Sequence, residues 1–196
     1  MLDDREIIVC VKGYELNHIS KPLSLDELKI LMEFYAKWHS ISIAMKTLEP
    51  QIWKNTIYNL NYWKSFIVEA PAMQIFSKFH KCMCRMLKSR NEHEMLKKIE
   101  MLDFVQIARE SIQEDNELTV VVHADCWNNN YLFKYKDGNV NDVAVVDWQL
   151  SSLGYIQNDL SCCILSCISS NEINEVDTLL EFYYYQFSTS LTLNMV

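Results

Sequence analysis

The reading turns on residues 123–148, HADCWNNNYLFKYKDGNVNDVAVVDW. They offer His-x-Asp at His123 and Asp125, an Asn five residues after that Asp at Asn130, and a run of strand-like residues ending on Asp147. Residues 131–135, YLFKY, and 143–146, VAVV, are strand-like in their aromatic and β-branched content. Asp137-Gly138 between them is a hairpin signal, because both residue types accept the positive φ that a tight turn demands. Residues 119–122, TVVV, predict a strand leading into the loop. Two carboxylates and a carboxamide at the ends of short strands are a way to hold magnesium beside a phosphate and a hydroxyl.

Outward from this stretch the chain reads as mainly helical. Ser24-Leu25-Asp26-Glu27 is a capping-box pattern. A long helix should follow to about Met45, with Leu28, Leu31, Tyr35, Trp38 and Met45 on one apolar face. His39 lies beside that face and reads as a core-edge histidine making one hydrogen bond. Residues 51–70 are aromatic-rich without a clean period. Pro71 suits the first turn of a helix running to about Lys88. Asn91 is the expected cap of another helix, reaching about Glu114. The methionines here, Met73, Met83, Met86, Met95 and Met101, read as core filling. Downstream of Trp148 come a loop holding Gly154, a helix through Ile168, and a last helix over residues 175–187. The Phe182–Tyr185 aromatic run of that helix reads as packing on the helical body.

The bulk numbers bound the class. A length of 196 residues suits one domain or one lobe of a larger protein, and 49% hydrophobic residues suffice for a real core. A net charge of −8 leaves no basic stripe for nucleic acid, although magnesium can still mediate nucleotide binding. The opening MLDDREIIVC is too acidic and too short in its apolar run for a signal peptide, and no segment is apolar over enough length for a membrane span. Seven cysteines without framework spacing fit a reduced, cytoplasmic setting. His80 and Cys84 share a helical face, but no second ligand pair stands at zinc spacing. Cys162, Cys163 and Cys167 read as small apolar residues of a buried helix.

The pattern His-x-Asp-x-x-x-x-Asn followed by a strand-terminal Asp is one that phosphoryl transfer uses. That reaction needs mainly positioning and charge neutralisation. Asp125 can orient a hydroxyl and take its proton. Asn130 offers a neutral oxygen to a metal while its amide donates elsewhere. Asp147 supplies the hard anionic oxygen that magnesium favours. His123 belongs to this catalytic set as a brace of the loop rather than a proton carrier. A metal-dependent hydrolase built on His123, Asp125 and Asp147 is the weaker alternative, since no further His or carboxylate cluster supports it.

The stretch resembles the ecdysteroid kinase-like family, also labelled CHK kinase-like, within the choline kinase and aminoglycoside phosphotransferase group. That family's loop reads HGDLWVNNxLFKY, then DVxxVDFQLS, then G-S-P-x-x-DL. This chain has HADCWNNNYLFKY, DVAVVDWQLS and GYIQNDL. Trp127, Asn129, Phe133, Gln149, Gly154 and Asp159 belong to the match, and it extends loosely to the helix ending KWHSISIAM. Ala124, Cys126 and Trp148 depart from the usual Gly, Leu and Phe. The first of these matters if the position needs a backbone angle that Ala tolerates poorly. The other two read as core variation.

The resemblance implies an α+β, mainly α fold, the C-terminal lobe of a protein kinase-like fold, with a small β-hairpin carrying the catalytic loop. It implies Asp125 as base, Asn130 and Asp147 as magnesium and nucleotide ligands, and Asp159 as a buried structural brace. ATP would be the co-substrate and a small hydroxylated molecule, a steroid among the candidates, the acceptor. The glycines at 13, 138 and 154 make no phosphate-covering loop. Residues 6–11, EIIVCV, read as a lone strand closed by a turn at Gly13, and the resemblance makes it the hinge between lobes. The expectation is therefore a remnant hinge strand and linker over residues 1–23, a kinase-like C-terminal lobe over 24–196, and an N-lobe largely absent. Weak or no turnover is expected of such a chain, and a non-catalytic binding module is the alternative.

Overall fold

The computed structural model describes residues 12–17, 21–58, 60, 70–110 and 116–195. The strand expected over residues 6–11 lies outside them. Within them the chain is mainly helical with two small antiparallel sheets.

After a turn at Gly13, whose φ is +83°, comes the short strand β1 (Glu15–Leu16). Helix α1 (Leu25–Leu48) follows and carries the core. Ser24 caps it as the sequence requires. Its Oγ accepts from Glu27 N at 3.3 Å, and Glu27 Oε2 accepts from Ser24 N at 2.7 Å. The Tyr135 hydroxyl and the Asn17 amide also donate to Glu27. Burial would lift this carboxyl, but those bonds outweigh it and hold it below the ordinary range. Leu28, Leu31, Met32, Tyr35 and Ala36 are fully buried along α1, each large side chain contributing about 1.5–3 kcal/mol.

A short helix, α2 (Pro50–Ile52), begins on its proline and widens into a π turn over Trp53–Ile57. Helices α3 (Ala70–Ser89), α4 (His93–Glu100) and α5 (Phe104–Glu110) come next. Asn91 does not cap the following helix. It sits at φ +58° and closes α3, with Glu92 N donating to Leu87 O at 3.0 Å. Asn enters the left-handed region more readily than most residues, so it ends helices as well as starting them. The single helix expected from residue 91 to 114 is two. Asp103 Oδ1 starts the second by accepting from Val105 N and Gln106 N, both at 3.0 Å. Met86, Met95 and Met101 are exposed, so they do not fill a core among the described residues. Helices α4 and α5 both pack against α3.

Strands β2 (Thr119–Val122), β3 (Tyr131–Lys136), β4 (Asn139–Val145) and β5 (Ser152–Tyr155) make the sheets, in the orders β1-β3-β4 and β2-β5. Asp137 and Gly138 both have positive φ, +52° and +80°, which closes the β3–β4 hairpin in two residues. Strand β5 stands where a loop was expected. It pairs antiparallel with β2, Gly154 opposite Val120. A Cβ at Gly154 would come within 2.9 Å of Val122 Cγ2, so only glycine fits there without a shift.

Helix α6 (Ile156–Cys167) and helix α7 (Val176–Asn194) complete the fold. The last helix runs well past Phe187. It packs along α1 and buries Tyr183, while Tyr184 and Tyr185 face outward. On α6, Cys163 and Cys167 are buried but Cys162 is exposed, contrary to its reading as core. Among the described residues no helix is long and apolar enough to cross a membrane.

Candidate active site

Strand β2 delivers the chain into a loop whose first residue is pinned on every side. His123 is fully buried. Its Nε2 donates to Val146 O at 2.9 Å, and its Nδ1 accepts from Asp125 N at 3.2 Å. A carbonyl can only accept and an amide N–H only donate, so the ring is fixed with its proton on Nε2. Trp148 packs edge-on against it, 4.5 Å between ring centres. Both ring nitrogens are spent on backbone. His123 therefore braces the loop and has no free atom with which to move a substrate proton.

Asp125 is half-buried at the next bend. Asn130, nearly fully buried, donates through Nδ2 to Asp125 O at 2.8 Å and to Asp125 Oδ2 at 3.0 Å. The amide nitrogen is thus committed to Asp125, and no described residue donates to Asn130 Oδ1. Val146 N donates to Asn130 O at 3.0 Å. Val146 is bonded to both His123 and Asn130, so the residue after it, Asp147, enters the same corner. Asp147 is exposed and sits at φ +64°, ψ +56°. The structure thus brings His123, Asp125, Asn130 and Asp147 together around the end of β4.

Among the described residues no group of three or more His, Cys, Asp or Glu side chains could hold a metal ion. Magnesium shared with phosphates needs no such group, because one or two protein oxygens and several waters suffice. The hard-oxygen pair of Asn130 Oδ1 and the Asp147 carboxylate fits that chemistry. The His80 Nε2 bonds Ile99 O at 2.9 Å.

Behind the loop stands Asp159, fully buried on α6. Its Oδ2 accepts from His123 N at 2.8 Å and from His39 Nε2 at 3.2 Å. Its Oδ1 accepts from Ala124 N at 3.0 Å and from the Cys126 thiol at 3.2 Å. Burial pushes this carboxyl up, but His39 first and then the loop amides outweigh it and hold it below the ordinary aspartate value. His39 Nδ1 in turn meets Tyr183 OH at 2.9 Å. His39 thus makes two bonds, not one, and ties α7 to the loop. Its neighbourhood to the KWHSISIAM match was the only sequence signal for this. Cys126 also accepts from Tyr35 OH at 3.1 Å, so it is a polar link rather than simple core variation.

Ala124 has φ +66°. This is the left-handed region, where a Cβ costs about 1–2 kcal/mol. Ala124→Gly should therefore raise unfolding stability by about 1 kcal/mol, the relief exceeding the added chain entropy of glycine. Urea titration checks it, and an unchanged or lower midpoint would show that the bend carries no strain.

A family model described as the ecdysteroid kinase-like family matches residues 8–195. No curated protein matches the chain, and no solved structure matches it.

Proposed function

The chain belongs to the ecdysteroid kinase-like family, and on that premise we propose that it acts as the C-terminal lobe of a kinase-like phosphotransferase, passing phosphate from ATP to a hydroxyl of a small molecule. The observation that carries the reading is the commitment of Asn130 Nδ2 to Asp125, which leaves Oδ1 as the side-chain atom available to a metal. Asn130 and Asp147 would hold Mg2+. The ion supplies neutralisation of phosphate charge. Asp125, oriented by the Asn130 amide, accepts the hydroxyl proton as the acceptor oxygen attacks. Asp159 and His123 keep the loop in place and exchange no proton with substrate.

The acceptor side has a candidate in a cavity of about 330 Å³ walled by Trp38, Ile41, Met45, Trp53, Val121 and Trp148. It shares Trp148 with the site, since that ring packs on both Trp38 and His123. Its walls suit an apolar alcohol, a steroid among them, better than a sugar.

Calorimetry with MgATP tests the nucleotide half of the reading. Asp147→Asn is the informative variant, because Asn tolerates the left-handed backbone and so removes charge alone. It should weaken MgATP binding by at least ~10-fold, and Asn130→Ala by a similar factor. Equal affinity in wild type and both variants would remove these residues from the site. Binding without transfer to any hydroxylated acceptor would assign the chain to a nucleotide-binding module.

A further inference from the structure

Helix α6 carries Asp159, Cys162 and Ser166 along one edge, at i, i+3 and i+7. The outer two both bond residue 126. Asp159 Oδ1 accepts from the Cys126 thiol at 3.2 Å, and Ser166 Oγ donates to the Cys126 carbonyl at 3.0 Å. Cys162 lies between them on the same edge, so its position on the helix faces residue 126. Both thiols are free, Cys126 buried and Cys162 exposed. The Cys126 thiol, against the opposing effect of burial, holds Cys162 below the ordinary thiol value, and the Cys126 amide adds to this. Burial pushes Cys126 far the other way.

We infer that Cys126 and Cys162 form an oxidative modification site, a peroxide-sensitive thiol pair that closes to a reversible disulfide. An accessible cysteine poised next to a second thiol is the arrangement that peroxide sensing uses. The Cys162 thiolate attacks a peroxide oxygen. The O–O bond breaks, leaving a sulfenic acid on Cys162 and releasing hydroxide or alkoxide. The Cys126 sulfur then attacks the sulfenic sulfur. An S–S bond forms, the S–O bond breaks, and the Cys126 proton leaves with the hydroxyl as water. The peroxide is reduced and the two thiols are oxidised. A dithiol reverses the change.

The closed form removes the Cys126 proton from Asp159 Oδ1 and ties the loop covalently to α6. Cys126 stands where the resembling family's loop carries Leu. The inference does not depend on phosphoryl transfer, and its test reads no activity.

The full chain is treated with hydrogen peroxide, blocked with N-ethylmaleimide, digested and mapped by mass spectrometry. The expected product is a crosslink between the peptides holding residues 126 and 162, lost on dithiothreitol. Cys162→Ser should abolish it and leave Cys126 reduced. Cys126→Leu should leave Cys162 as a sulfenic acid that a dimedone probe captures. Cys162 is exposed, so Cys162→Ser retains the fold and keeps the test valid even where Cys126→Leu melts early. Cys162 left reduced, paired with another cysteine, or oxidised no faster than Cys82 and Cys84 would overturn the inference.

Discussion

Asp125→Asn should lower the phosphoryl transfer that the wild-type chain supports, weak as it is expected to be, by ~100- to 10,000-fold, the range for removing a positioned general base. Nucleotide affinity should stay nearly unchanged. The substitution preserves the bend. Asn130 Nδ2 bonds both the main-chain carbonyl and Oδ2 of residue 125. An asparagine there still offers the carbonyl and one side-chain oxygen, so the bend is kept. What disappears is the ability to take a proton. Transfer is measured with MgATP and a panel of hydroxylated acceptors that includes steroid alcohols, and affinity by calorimetry on the same samples. A variant that transfers phosphate at the wild-type rate would remove Asp125 from the chemistry. A variant that loses affinity as well would show that residue 125 shapes the site rather than acting in it.

The second large effect concerns stability. Asp159 is fully buried and receives His39, Cys126 and the amides of His123 and Ala124. Asp159→Ala strands all of these donors without water to replace the carboxylate. The expected loss is about 3–5 kcal/mol, the range for removing one partner from a buried polar network. That is a large share of the ~5–15 kcal/mol a domain has. Asp159→Asn should lose less, because one oxygen still accepts. The pH dependence follows from the direction of the shift. The folded carboxyl is held below its unfolded value, so its stabilisation is fully present above the ordinary aspartate range. It is lost as pH falls through the lower folded value. The stability gap between wild type and Asp159→Asn should therefore be constant around neutrality and shrink in acid. Urea titrations across that range decide it, and a gap that ignores acid would mean Asp159 is not ionised in the folded chain.

What could be read from the sequence was what is local. The capping box at Ser24 and Glu27, the Asp137-Gly138 turn and the loop from His123 to Asn130 are decided by neighbours a few residues apart. Those positions carry their own backbone preferences. Strand β5 was not legible, because four residues containing a glycine become a strand only when Val120 and Val122 lie beside them. The second bond of His39 was equally hidden. Its partner Tyr183 is 144 residues away, and a histidine on an apolar face looks the same with or without it. Asn91 was misread because one residue type serves both ends of a helix. The outward Met86, Met95 and Met101 were misread because composition cannot say which side chains the fold covers.

The bond from Val146 N to Asn130 O has a practical consequence. It fixes the two ends of the β3–β4 hairpin through main chain, close to the site, while the tip at Asp137 and Gly138 projects into solvent. The hairpin is therefore a lever with its fulcrum at the base. A peptide tag, a spectroscopic probe or a new pair of chain ends placed between Asp137 and Gly138 would sit at the far end of that lever. The corner holding Asn130 and Asp147 could then be watched from the hairpin tip without being touched.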